Sequence, residues 1–123
     1  MAWTSEFLID ERVVEIIFGQ DFQFNELPDL VKDMAVKLNE NHSLWVLADC
    51  SALEKTSSLV KIYDFPKLYF AKGLDRRIKE AVILPLAAKP REALKFYETI
   101  CRNLGLHVKA FNDRPAALSW LHQ

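Results

Sequence analysis

Glycine is scarce in this chain of 123 residues, with three in all, and cysteine scarcer still, with two. Gly19, Gly73 and Gly105 lie far apart, so no glycine-rich loop is present to cradle a phosphate. With five prolines beside them, they also exclude a collagen-like or low-complexity segment. Cys50 and Cys101 form no CxxC pair and share no metal-ligand spacing with a histidine, while His42, His107 and His122 are scattered. No metal or other cofactor is expected. The longest apolar run, residues 81–88, contains Pro85 and stops at Lys89, well short of the ~18 residues of a membrane span. The first six residues, Met1-Ala2-Trp3-Thr4-Ser5-Glu6, lack the basic-then-apolar order of a secretory signal. A cytoplasmic protein is therefore expected, its two cysteines serving as small core hydrophobes. Charge of one sign is missing as well: 16 basic against 17 acidic side chains leave −1, without the basic excess of a nucleic-acid binder.

Hydrophobic side chains make up 50% of the sequence, too many for a disordered chain, and the length suits one domain over residues 1–123. Phe7-Leu8-Ile9 and the β-branched Val13-Val14-Glu15-Ile16-Ile17-Phe18 stand only a polar turn apart, so they predict an antiparallel hairpin. The period then changes. Leu27, Leu30, Val31, Met34 and Leu38 recur at steps of three and four, the stripe of a helix, with Asn25 expected as its N-cap and Pro28 in its first turn. Leu44-Trp45-Val46-Leu47-Ala48 and Ala81-Val82-Ile83-Leu84 are apolar runs of strand length, as in parallel strands covered on both faces. Residues 106–111 alternate apolar and polar, as an edge strand does. A helix from Pro90 to Leu104 turns Leu94, Tyr97, Ile100, Cys101 and Leu104 to one side, and Gly105 suits the left-handed position after it. Asn112 or Asp113 caps a last helix with Pro115 in its first turn. Between Leu53 and Lys79 the reading is one helix before Pro66 and another starting near it and ending at Gly73. The fold class is thus α/β: a mixed sheet of about five strands, opening with a hairpin, with helices alternating with parallel strands.

Parallel strands deliver their following loops to one rim, where ligands gather in such sheets. The loops 49–58, 85–89 and 112–114 belong there. Ser51, Ser57 and Ser58 could serve as nucleophiles, yet none of these loops holds a histidine, and no GxSxG elbow exists. An enzyme is not expected. Asp49 is read as a turn former. Thr56-Ser57-Ser58 suits a helix cap, and equally a phosphorylation site, since helix N–H groups stabilise a phosphoryl group there. Tyr63, Phe65, Tyr69 and Phe70 either cover one face of the sheet or meet a partner, a lipid or a second copy of the chain. Lysines and arginines interspersed with them suit a solvated face or an anionic membrane surface.

Four stretches carry a family likeness. Leu44-Trp45-Val46-Leu47-Ala48-Asp49-Cys50-Ser51 looks like a strand ending in Asp-x-Ser, Asp64-Phe65-Pro66-Lys67-Leu68-Tyr69 like a helix break, and Ile78-Lys79-Glu80-Ala81-Val82-Ile83 like the following strand. Val108-Lys109-Ala110-Phe111-Asn112-Asp113 with Ala116-Ala117-Leu118-Ser119-Trp120-Leu121 looks like a terminal strand–helix signature. Together they resemble the STAS domain of anti-sigma-factor antagonists, most closely its SpoIIAA-like branch, which is linked by architecture to the SEC14 lipid-binding group. The resemblance spans nearly the whole chain. It implies a four-helix, mixed-sheet STAS fold and a regulatory Ser at the start of the second helix, phosphorylated by a partner kinase. Here the matching stretch is Thr56-Ser57-Ser58-Leu59, in which Lys55-Thr56 replaces the family's acid and Leu59 its glycine. A response-regulator receiver, which begins strand–helix–strand with paired acids, is discounted by the opening hairpin.

The expectation is a non-catalytic module that binds a protein partner, such as an anti-sigma factor or kinase, modulated by phosphorylation at Thr56, Ser57 or Ser58. Its contact surface would comprise Asp49, Ser51, Lys89 and Arg91 on the rim, with Tyr63, Phe65, Tyr69 and Phe70. The alternative is an apolar small molecule or lipid held under a movable segment, with reversible peripheral membrane contact. Homodimerisation is a further expectation from size and aromatic content.

Overall fold

The computed structural model describes residues 2–54, 64–67 and 73–123. Five strands form one sheet in the order β1-β2-β3-β4-β5: Trp3–Leu8, Val13–Phe18, Trp45–Asp49, Lys79–Ile83 and His107–Phe111. β1 and β2 pair antiparallel, and all later neighbours pair parallel. Among the described residues, they are accompanied by α1 over Leu27–Glu40, a helical turn at 64–67 (α2), α3 over Ala88–Asn103 and α4 over Arg114–Leu121. The hairpin, the parallel strands and β5 at the edge are as the sequence predicts.

The pleat sorts the side chains. Val14, Ile16, Phe18, Val46, Ala48 and Val82 point to one face, where α1 contributes Leu30, Val31, Met34 and Leu38 and α3 contributes Ala93, Tyr97, Ile100 and Cys101. Val13, Leu47, Ala81 and Ile83 point to the other, where α4 places Ala117 and Leu121. Two faces covered by helices require strands without polar alternation, which explains the continuous apolar runs of β2 to β4.

Charged residues extend these strands beyond the predicted bounds. β4 was expected from Ala81 but begins at Lys79. The Lys79 ammonium lies over the Trp120 ring, 4.5 Å from its centre, and donates to the Trp120 and Leu121 carbonyls at 2.6 and 3.3 Å, closing the end of α4. Glu80 turns to the other face, buried, and accepts from the Tyr97 hydroxyl. Both side chains enter the strand because each has a partner.

Three end positions also differ. Asn25 does not cap α1; it sits inside a 3-10 turn over Phe24–Glu26, whose Glu26 carboxylate accepts from the Gln23 N–H at 2.9 Å. Leu104, expected on the buried side of α3, is the residue after the helix and stays 43% exposed. The chain turns there: Gly105 takes φ +81°, and the Leu106 N–H reaches the Cys101 carbonyl at 2.9 Å. α1 ends by the same device, with the Ser43 N–H on the Leu38 carbonyl at 3.0 Å, but there His42 occupies the left-handed position at φ 51°. Of the two candidate caps for α4, Asp113 is the one used, accepting from the Ala116 N–H at 2.9 Å.

Both edges of the sheet are stoppered. On β1, Lys37 of α1 donates to the Ser5 carbonyl at 3.2 Å and pairs with Asp33 at 2.8 Å. On β5, Glu98 of α3 accepts the Ala110 N–H at 2.6 Å. A side chain from the neighbouring helix thus takes one backbone group on each exposed edge.

Candidate functional site

Parallel pairing fixes where the loops go. Ile17 aligns with Asp49, Asp49 with Ile83 and Ile83 with Phe111, so β2, β3, β4 and β5 end at one level. The segments after them share a rim at the carboxyl end of the sheet. The predicted rim included three of these segments; the fourth, residues 19–26 after β2, completes it.

On the rim, Asp49 accepts from both the Ser51 N–H (3.0 Å) and the Ser51 hydroxyl (2.6 Å), a local turn that ties the two residues to each other. Arg91 donates to the Asn112 side-chain oxygen at 2.6 Å and to the Pro85 carbonyl at 3.3 Å, joining the β4 and β5 exits. Lys89 is exposed in the first turn of α3. Thr56, Ser57, Ser58, Tyr63, Tyr69 and Phe70 lie outside the described residues. All three histidines sit at the opposite end: His42 precedes β3, His107 starts β5, and His122 packs its ring on Trp45 at 5.1 Å.

Beneath the rim, on the α1–α3 face, lies a cavity of about 500 Å³. Its size falls in the range of small-molecule sites. The sheet supplies Phe18, Ala48 and Val82; the exits of β2 and β3 supply Phe22, Phe24, Cys50 and Leu53; α3 supplies Ala93, Leu94 and Tyr97. Phe65 links the aromatics of the β2 exit to Tyr97 of α3. Edge-to-face contacts run from Phe18 to Phe22 (4.8 Å), Phe22 to Phe24 (6.1 Å), Phe24 to Phe65 (6.4 Å) and Phe65 to Tyr97 (5.2 Å). Of the predicted contact residues, Phe65 lines this cavity, whereas Asp49, Ser51, Lys89 and Arg91 stay on the rim above it.

Gly19 permits this wall. Its N–H donates to the Ala2 carbonyl at 2.7 Å, and a Cβ there would stand 2.8 Å from the same oxygen. With glycine, the chain leaves β2 hard against the start of β1 and bends Phe22 and Phe24 over the cavity.

The polar groups among the described lining residues are carboxyls, amides and a phenol. Among the described lining residues, Asp21 stands with Gln23 and Asn25 on the β2 exit, the buried Glu80 is held by the Tyr97 hydroxyl, and there is no lysine, arginine or histidine. Burial first, and Glu80 second, push the neighbouring thiols up, Cys101 to about 12 and Cys50 well above its ordinary value. Both thiols are therefore protonated near neutral pH and are poor nucleophiles.

Sequence reasoning missed the β2 exit, Tyr97 and Glu80 as cavity residues. The available signals were three phenylalanines, Phe18, Phe22 and Phe24, within seven residues, and an acid inside a strand otherwise apolar. Among the described residues, no group of His, Cys, Asp or Glu is arranged to hold a metal ion, and no helix is long and apolar enough to cross a membrane. The chain matches no family model and no curated protein.

Proposed function

We propose that this chain is a non-catalytic binding module that holds an apolar small molecule in the cavity beneath the rim. The observation that carries this reading is the 500 Å³ space itself, walled among the described residues by Phe18, Phe22, Phe24, Phe65 and Tyr97, with the Tyr97 hydroxyl donating to the buried Glu80 carboxylate. Rings that pack on each other rather than on the centre of the space leave apolar surface for a guest, and a guest that displaces water from it gains about 25 cal/mol per Å² of apolar area. The hairpin, the sheet order and the helices on both faces support the resemblance to a STAS-type module of the SpoIIAA-like branch. That resemblance, with its architectural tie to lipid-binding proteins, favours binding over chemistry. So does the rim, where Asp49 is engaged with Ser51 and the histidines are at the far end.

The test is occupancy. Nile red, a neutral apolar dye, should bind saturably and at one site, and Ala93→Phe, which places a ring in the cavity from α3, should abolish that binding without lowering the Tm. No saturable binding to the native chain, or equal binding to a folded Ala93→Phe variant, rejects the reading.

Protein-partner recognition at the rim is the second reading, favoured by the common level of four strand exits. It places regulation at Thr56, Ser57 or Ser58. A Ser57→Asp/Ser58→Asp variant that captures the same partners as the native chain, with no phosphate found on residues 56–58, removes it.

A further inference from the structure

The make-up of the cavity wall says more than its volume. Among the described lining residues, rings come from Phe18 on β2, Phe22 and Phe24 on the β2 exit, Phe65 on α2 and Tyr97 on α3. They form one continuous row in which each ring meets the next edge to face, at interplanar angles of 83°, 61°, 85° and 67°. Ring edges carry positive potential and ring faces negative, so a row of mutually tilted rings offers both kinds of surface. Ala48, Val82 and Ala93 line the same space with short side chains, and their shortness leaves room that longer residues would fill. A saturated guest against this wall gains chiefly from burial. A flat aromatic guest gains the same burial and adds its own edges and faces to the row.

We infer that the cavity is selective for a planar aromatic guest, a small fused-ring molecule, over a saturated one of the same outline. This rests on the proposed small-molecule site and narrows it. The volume of about 500 Å³ accommodates such a guest. Phe22 and Phe24 are the specificity-determining residues best suited to substitution, because both are half-buried on the β2 exit, off the sheet.

A matched pair separates ring contacts from burial. Naphthalenemethanol and its fully hydrogenated counterpart, decahydronaphthalenemethanol, share a hydroxyl and a fused-ring outline. The saturated compound is the more hydrophobic, so burial by itself would make it the tighter ligand. Titrated into the full chain by calorimetry, the aromatic compound should nevertheless bind about tenfold more tightly. That ratio should shrink severalfold in Phe22→Leu/Phe24→Leu, which keeps the wall apolar and removes two of its rings. Should that variant fail to fold, the native chain decides: the ring current of bound naphthalenemethanol should displace the methyl proton resonances of Val82 and Leu94, both on the cavity wall. Binding of the aromatic compound that leaves those methyls unmoved puts it elsewhere and overturns the inference. Equal or tighter binding of the saturated compound, or an undiminished aromatic preference in the folded double variant, overturns the inference and leaves the apolar site standing. Failure of both compounds to bind overturns both readings.

Discussion

The two faces of the sheet are built from one set of strands and come out differently. On the α4 face, a helix of eight residues suffices: Ala117 and Leu121 seat directly on Leu47, Ala81 and Ile83, and Lys79 seals the end of the helix. On the α1–α3 face, Phe22, Phe24 and Phe65 stand around an open space. The difference follows from side-chain size. Small residues at Ala117 and Ala81 let α4 approach closely, whereas aromatic rings at Phe18 and Tyr97 hold their neighbours apart. One face is thus closed, and the other keeps a cavity.

Substitutions can break this comparison. Leu47→Ala, on the closed face, should cost about 2–5 kcal/mol, and Leu94→Ala, on the cavity wall, under about 1.5 kcal/mol, because its removal only enlarges an existing space. Equal losses of stability in urea would show that the two faces are packed alike. Next in size is the ion pair of the closed face. Arg114 reaches Glu15, whose side chain is only 10% exposed, while Arg114 itself is 41% exposed. Arg114→Ala should cost about 1–2 kcal/mol by leaving Glu15 unpartnered, reduced from the fully buried case by the solvent around the arginine. A Tm equal to the native chain's would mean that water replaces the arginine without loss.

Smaller effects sharpen the picture of the helices on the cavity face. α1 and α3 end in the same turn, with His42 in one and Gly105 in the other at the left-handed position. His42→Gly should stabilise the chain by about 0.5–1 kcal/mol, since glycine adopts that backbone without a Cβ conflict. A loss of stability would mean that the His42 ring contributes more than its backbone costs. The smallest effect concerns acid. Burial would raise the Asp33 carboxyl, but hydrogen bonds from Lys37 and Ser5 more than offset it and hold it below 3.8. A carboxyl lowered on folding contributes stability above its unfolded value and loses it as the pH falls through the folded one. Asp33→Asn should therefore flatten the drop in Tm on acidification below pH 3.8, with little change at neutrality. An unchanged acid limb would assign that drop to other carboxyl groups.

How much of this was written in the sequence depends on the length scale of the signal. The strand run read at Leu44–Ala48, which the structure places one residue later at Trp45–Asp49, and the helical stripe of α1 are local periodicities, and both elements are present. Strand direction followed from connection length. The common rim followed from strand direction, although the β2 exit was overlooked because β2 had been read only as half of a hairpin. The cavity was not legible, since it depends on Tyr97 of α3, Phe65 of α2 and Phe24 after β2 meeting across a gap that no local pattern encodes. Glu80 was hidden for a similar reason: a charged residue reads as solvent-facing until its partner 17 positions away is known. Leu104 misled in the other direction, because its spacing fits the helix but Gly105 ends the helix first.

Glu98 on the Ala110 N–H carries a consequence for how copies of this chain behave in company. An incoming extended segment would have to evict that carboxylate before it could add to β5, and Lys37 guards the far flank in the same manner. Growth of the sheet from one molecule into the next is thereby discouraged at both ends. Tandem copies on a single polypeptide should fold as separate beads, and a concentrated solution should resist fibril seeding.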